Sequence, residues 1–293
     1  MFVLAHLSDI HLGPLPTIPP LELFSKRGLG FLNWLRKRHR MHRPEVLARL
    51  IADLKSQPAD HVAVTGDLVN LSLSTEFAPA RAWLDRLGPP QGVTFVPGNH
   101  DRYVRAAEGL AAQVWGTYMQ GDAHETFPFV RRRGPVGLIG LSTSLPTWPF
   151  AATGTLGPQQ IERLAELLAA LADEKRFRVV LIHHPPSAGS SFFRRLTDAQ
   201  DLRDVLGRHG AELVLHGHLH ESSLAWLDGP RARIPCVGVP SASGAPGFHD
   251  DPAAYNLYEI SGKPGGWRCT VVTRGLGRDG NSVTEIARTE LAY

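Results

Sequence analysis

Cysteine is nearly absent: Cys236 and Cys269 are the only two in a chain of 293 residues. So sparse a supply excludes a disulfide framework or a cysteine-rich zinc knuckle and leaves two buried free thiols as the expectation. Long apolar runs are missing too, and none approaches the ~20 residues that a membrane-spanning helix needs. Neither sign of charge dominates: 31 Lys and Arg against 28 Asp and Glu give +3, too little to argue for nucleic acid as a partner. The first residues, MFVLAHLSDIH, have neither a basic leader region nor a cleavage site. A secretory signal is therefore not expected, and a cytoplasmic location is. What remains is the composition of an ordinary soluble protein, long enough to bury a core.

Apolar runs at 2–8, 61–65, 92–96, 126–131, 136–142, 177–182 and 212–216 read as strands. Helical spacing marks 43–55, 76–87, 158–172 and 198–208. In the first of these helices Pro44 suits the opening turn, and Val46, Leu47, Leu50, Ile51 and Leu54 form one apolar face. From Ser222 onward the chain is strand-like, broken at Asp228-Gly229, Gly262 to Gly266 and Asp279-Gly280. This order predicts an α/β fold: two mixed β-sheets face to face with helices outside, a four-layer αββα sandwich. Because the candidate site residues run from 9 to 220, residues 1–293 are read as a single domain.

Five of the strands are followed directly by groups that bind metal: D-I-H (Asp9, His11), T-G-D (Asp67), P-G-N-H-D (Asn99, His100, Asp101), I-H-H-P-P (His183) and H-G-H-L-H (His218, His220). Alone, D-I-H and T-G-D are weak, whereas G-N-H-D is more specific, because Asn is a neutral oxygen donor rarely placed beside His and Asp by chance. All five at strand ends imply that one rim of the molecule collects carboxylate, amide and imidazole donors, enough for two ions. The spacing of two in Asp9/His11 and in His218/His220 predicts that each pair shares a face, as alternate residues of a strand do. Gly66, Gly98 and Gly217 permit sharp turns beside the donors. Of the pair His183-His184, the strand-end residue is the expected ligand, with His184 facing away. His216 is expected to point away from the ions. His6, His61, His124, His209 and His249 lack partner motifs and read as surface or satisfied core histidines.

D-x-H, G-D, G-N-H-D, H-H-P-P and G-H-x-H in this order resemble the calcineurin-like metallophosphoesterase superfamily, over residues 4–220 or so. The resemblance implies a dinuclear centre: one ion on Asp9, His11, Asp67 and His220, the other on Asp67, Asn99, His183 and His218, with Asp67 bridging. A donor set without thiolate suits Mn²⁺ or Fe²⁺/Fe³⁺, with Zn²⁺ or Co²⁺ as substitutes.

Such a centre lowers the pKa of water to supply hydroxide and neutralises phosphoryl charge, so hydrolysis of a phosphoester, and of a phosphodiester first, is the expected reaction. His100 is expected to donate a proton to the leaving oxygen or to hold a phosphoryl oxygen, oriented by Asp101, whose carboxylate would raise the pKa of His100. Alternatives are a pyrophosphatase acting on a nucleotide–lipid or other membrane-associated phosphate, a non-catalytic metal-binding regulatory module, and, less favoured by the charge balance, a nuclease.

Residues 14–43 interrupt the strand–helix pattern. Between Glu22 and Glu45 there is no acidic residue, while Lys26, Arg27, Arg36, Lys37, Arg38, Arg40 and Arg43 interleave with Phe24, Leu29, Phe31, Leu32, Trp34 and Leu35. This basic amphipathic insertion can contact anionic membrane through residues 24–43, form a lid over an anionic substrate, or simply lie with its apolar face on the core.

Overall fold

A computed structural model describes every residue except 108, 188–190, 249, 278, 279, 281 and 293, so the expectation for His249 lies outside the described residues. The strands in chain order are β1 (Phe2–Leu7), β2 (His61–Val64), β3 (Val93–Phe95), β4 (Phe129–Arg133), β5 (Val136–Gly140) and β6 (Phe177–Leu181). They continue as β7 (Leu213–His216), β8 (Ser223–Leu227), β9 (Ile234–Gly238), β10 (Ala254–Ser261), β11 (Arg268–Leu276) and β12 (Val283–Leu291). Two six-stranded sheets result, in the orders β12-β11-β10-β1-β2-β3 and β4-β5-β6-β7-β9-β8. Strands β1, β2 and β3 are parallel, as are β5, β6, β7 and β9, and the remaining pairings are antiparallel.

The continuous apolar runs have a direct cause: the central strands are covered on both faces. In β1, Phe2 and Leu4 enter the core between the sheets, whereas Val3, Ala5 and Leu7 face helices. In the second sheet Val179 and Leu181 turn inward, and Val180 turns outward with Ile182. Helices α2 (Pro44–Ser56), α3 (Phe77–Leu87) and α4 (Leu110–Trp115) cover the first sheet. Helices α5 (Pro158–Asp173) and α6 (Ala199–His209) cover the second. The four-layer αββα order is therefore present, and Cys236 and Cys269 are both buried outside any disulfide. Strand β4 starts at Phe129, later than the apolar run suggested, since Pro128 has no N–H for the ladder. Among the described residues no helix is long and apolar enough to cross a membrane.

The basic insertion is helical but reversed relative to its plainest reading. Helix α1 (Lys26–Asn33) leads into a wider π turn at Trp34–Arg38 and a short turn at His39–Met41. Arg27 is the buried residue of α1: its guanidinium donates to the Leu71 and Ser72 carbonyls and pairs with Glu22. Leu29, Leu32 and Leu35 are left 44–48% exposed. The loop carbonyls below this helix need donors, so the cation turns inward and the leucines outward.

Candidate metal centre

The donors sit where the parallel strands of both sheets end, after β1, β2 and β3 on one side and β6 and β7 on the other. Five of them have left-handed backbones: Asp9 (φ 53°), His11 (φ 43°), Asp67 (φ 56°), His218 (φ 72°) and His220 (φ 59°). The shared facing of Asp9 with His11 and of His218 with His220 thus arises from left-handed turns just past the strands, and strand alternation is not its cause. Such conformations cost energy and persist where surroundings over-determine them. Here Asp9 N–H donates to the Gly66 carbonyl (3.0 Å) and His11 N–H to the Asp67 carbonyl (2.9 Å), zipping the two loops together. Gly98 is packed so tightly that a Cβ would collide with Asp67 Oδ1 and the His183 ring.

Each imidazole is anchored through one nitrogen. His183 Nδ1–H donates to the Thr65 carbonyl (2.6 Å), leaving Nε2 at 3.5 Å from Asp67 Oδ2 and 3.2 Å from Asn99 Oδ1. His220 Nδ1 bonds Asp250 (3.0 Å) and its Nε2 lies 3.1 Å from Asp9 Oδ1. His11 Nδ1 faces the Val69 carbonyl (3.3 Å), with Nε2 at 3.8 Å from Asp67 Oδ2 and 3.9 Å from Asp9 Oδ1. His218 Nε2–H donates to the Arg194 carbonyl (2.8 Å), so Nδ1 is its nitrogen left for a ligand. Asp9 with His11 and His220, Asp9 with Asp67 and His183, and His183 with His184 and His218 each bring their donor atoms within 4.8 Å. All seven expected residues are brought together.

The electrostatics follow from this crowding. Burial opposes protonation of His183 and His220, but Asp67 beside the first and Asp9 with Asp250 beside the second raise both to about 9. Asp9 is held well below the ordinary carboxylate range despite burial, because His220 charges and bonds it. A cation at these nitrogens replaces protons already bound there.

Three expectations are corrected. Asp101 does not touch His100: its carboxylate accepts the backbone N–H groups of Asp67 (2.8 Å), Leu68 (2.9 Å), Val69 (3.3 Å) and Gly98 (2.8 Å). Nor is the pKa of His100 raised; burial first, then the Arg38 guanidinium, lowers it to about 3. His100 is oriented instead by the Asn70 carbonyl, which accepts from Nδ1 (2.5 Å), while Arg38 Nη1 donates to Nε2 (2.7 Å). His184 is also placed differently, its ring packed against that of His218 at 4.2 Å and tilted 45° to it. Both of its nitrogens are engaged, however, by the Thr143 hydroxyl (2.7 Å) and the Ala152 carbonyl (3.1 Å). His216, His6 and His61 are buried and bonded to Gly217, Thr65 and Thr94, but Nδ1 of His6 and of His61 is buried without a partner, so these two are only half satisfied. His124 is exposed and His209 half-buried.

Motifs alone did not single out Arg38, His42, Tyr103 or Asp250. Arg38 Nη2 also reaches His11 Nε2 (2.9 Å). Nothing in the local sequence separates it from its basic neighbours. His42 packs on His11 (4.4 Å) and bonds Ser243 (3.0 Å). Tyr103 stacks on His100 at 5.3 Å, and Lys26 lies 4.4 Å over the Tyr103 ring. Beside Asn99 and His100 opens a cavity of about 470 Å³ with Lys26, Arg36 and Arg38 on one side and Leu29, Leu32 and Phe150 among its walls.

A rim that gathers carboxylate, amide and imidazole donors at the strand ends of an αββα sandwich suits a metal-dependent phosphoester hydrolase. Residues 2–222 match the calcineurin-like phosphoesterase family model, and the chain belongs to that family. A Synechococcus sp. protein named "Probable cyclic nucleotide phosphodiesterase" is 24% identical over 234 residues, which are 76% of this chain and 80% of that one. A purple acid phosphatase from yellow lupin (Lupinus luteus) seeds superposes on 99% of this chain with TM-score 0.65 and 13% identity. This chain spans about half (53%) of the lupin protein. A dimetal phosphatase from Danio rerio matches over 98% of this chain and 99% of its own length, with TM-score 0.55 and 12% identity.

Proposed function

We propose that the chain is a dinuclear metal-dependent phosphodiesterase. The observation that carries this reading is the anchoring of His11, His183, His218 and His220, each holding one nitrogen on a carbonyl or carboxylate, with the other nitrogen of His11, His183 and His220 facing Asp9, Asp67 or Asn99 and that of His218 left for a ligand beside His183. That arrangement fixes tautomer and direction in metal-ligating histidines. The residues fit the expected group: Asp9, His11, Asp67 and His220 for one ion, Asp67, Asn99, His183 and His218 for the other, with Asp67 shared. Mn²⁺ or Fe²⁺/Fe³⁺ suits the donors, and Zn²⁺ or Co²⁺ can replace them. When bound, the ions supply water of lowered pKa and neutralise phosphoryl charge.

Arg38 holds a phosphoryl oxygen in this scheme. Its Nε is buried without a partner, a donor that a phosphate satisfies. A cation and the guanidinium cannot share His11 Nε2, so Arg38 gives up His11 and keeps His100 when metal binds. His100, neutral at pH 7 by its lowered pKa, then acts through Arg38 as a positioning residue.

The relative's name puts cyclic nucleotides first in a substrate panel. The mixed cationic and leucine-lined cavity favours a second reading, a pyrophosphatase for a nucleotide–lipid or similar amphiphilic phosphate. Purified protein with Mn²⁺ is expected to hydrolyse bis-p-nitrophenyl phosphate, and Asn99→Ala or His218→Ala to abolish this. Full activity in Asn99→Ala, or no metal by elemental analysis of active protein, would refute the proposed centre.

A further inference from the structure

The large apolar side chains at the surface are not scattered. Of thirteen exposed large hydrophobics among the described residues, nine fall in three segments, 21–35, 148–150 and 192–193. Leu21 (84%), Phe24 (86%), Trp148 (86%), Phe150 (82%), Phe192 (66%) and Phe193 (60%) are the most exposed of them. The segments form one rim. Lys26 Nζ donates to the Thr147 hydroxyl (2.7 Å) and the Ala151 carbonyl (2.9 Å), and Ala152 N–H donates to the Phe193 carbonyl (2.8 Å). Helix α1 and Phe150 wall the same cavity beside Asn99 and His100. Helix α1 is inverted, with Arg27 turned inward and its leucines outward.

Cations interleave with these side chains. Arg36, Lys37 and Arg40 are exposed on the insertion, with no acidic residue between Glu22 and Glu45. Exposed Arg194 and Arg195 accompany the two phenylalanines, Arg195 lying 4.5 Å over the Phe192 ring. Glu22, the acid at the edge, is consumed by Arg27 and Ser74. Aromatic and aliphatic tips ringed by arginine and lysine match the boundary between acyl chains and anionic headgroups. A protein partner covering so many apolar tips would call for matching acids at five separate cations, whereas an anionic bilayer supplies negative charge everywhere.

We propose that this rim docks the protein on an anionic phospholipid bilayer, apolar tips among the acyl chains and the mouth of the metal centre at the headgroups. The proposal rests on the surface alone and stands or falls apart from the metal chemistry.

Flotation of the full chain with phosphatidylcholine vesicles, with and without phosphatidylglycerol, tests it. Binding is expected only with phosphatidylglycerol, weakened and not abolished by salt. Phe24→Ser combined with Trp148→Ser and Phe192→Ser should lower partition by about tenfold or more, with hydrolysis of a soluble diester unchanged. Brominated lipid should quench tryptophan fluorescence of the parent chain and do so markedly less in Trp148→Phe, a readout that survives if the triple variant fails to fold. No binding to phosphatidylglycerol vesicles, or equal quenching in Trp148→Phe, would overturn the proposal. So would a parent dimer that the triple variant converts to monomer, because the face would then belong to a second copy.

Discussion

Arg38 and His100 form the pair in which side-chain chemistry is most exposed to test. Losing one charged donor aimed at a phosphoryl oxygen costs about 10²-fold in turnover, so Arg38→Ala is expected to drop kcat/KM on a diester by that order with metal content intact. Arg38→Lys should recover little, since an ammonium cannot bond His100 and phosphate through a rigid fork. His100→Ala is expected to retain metal and to slow activated and unactivated diesters by the same factor. A larger loss with poor leaving groups would return His100 to the role of acid. Metal uptake should depend on pH in a sense set by His183 and His220. Both are raised to about 9, so below that pH an ion must displace their protons. Affinity is expected to fall as pH falls from 9, by about tenfold per unit for each proton released, measurable by isothermal titration with Mn²⁺. In metal-free protein the same raised pKa values contribute stability that is full below 6.5 and lost as pH rises through 9. Binding that strengthened toward acid pH would contradict the assignment of these nitrogens.

At the scale of elements, the loops after the strands depend on Asp101, which gathers four backbone N–H groups from two of them. Each buried donor left unpaired costs about 1–3 kcal/mol, so Asp101→Ala is expected to destabilise the fold by upwards of about 3 kcal/mol in urea titration. A loss of activity with unchanged stability would make Asp101 a catalytic residue after all. The same loops show what could be read from sequence. Strand-end placement of Asp9, Asp67, Asn99, His183 and His218 was legible because apolar runs buried on both faces stop where the donors begin. Helix α2 was legible from Pro44 and its apolar stripe. The left-handed turns at Asp9 and His218 were not, since no local pattern demands that conformation of Asp or His. The inward turn of Arg27 and Arg38 was equally hidden: their partners, the Leu71 and Ser72 carbonyls and His100, are distant in sequence. Asp101 beside His100 suggested contact, yet neighbours in a tight turn point apart, and nearby N–H groups captured the carboxylate first.

For the molecule as a whole, the proposed centre joins two bodies. Asp9, His11, Asp67 and Asn99 come from the first sheet, and His183, His218 and His220 from the second. Ions held by both sheets bind the folded chain and have no equivalent site in the unfolded one, so binding adds to stability by mass action. At a free concentration 100 times the dissociation constant the gain is about 2.7 kcal/mol per ion. In a chain of this size that corresponds to a rise in Tm of several degrees. Thermal unfolding of the chelated protein is therefore expected to occur several degrees below that of protein with Mn²⁺, with the gap narrowing at pH 6 as His183 and His220 retain their protons. His218→Ala, which removes a donor of the second sheet, should lose part of the gap, whereas a substitution in the docking rim such as Phe24→Ser should keep it whole. Equal Tm with chelator and with Mn²⁺ across this pH range would mean that the donors of the two sheets are not joined through metal, and the dinuclear reading would fall with it.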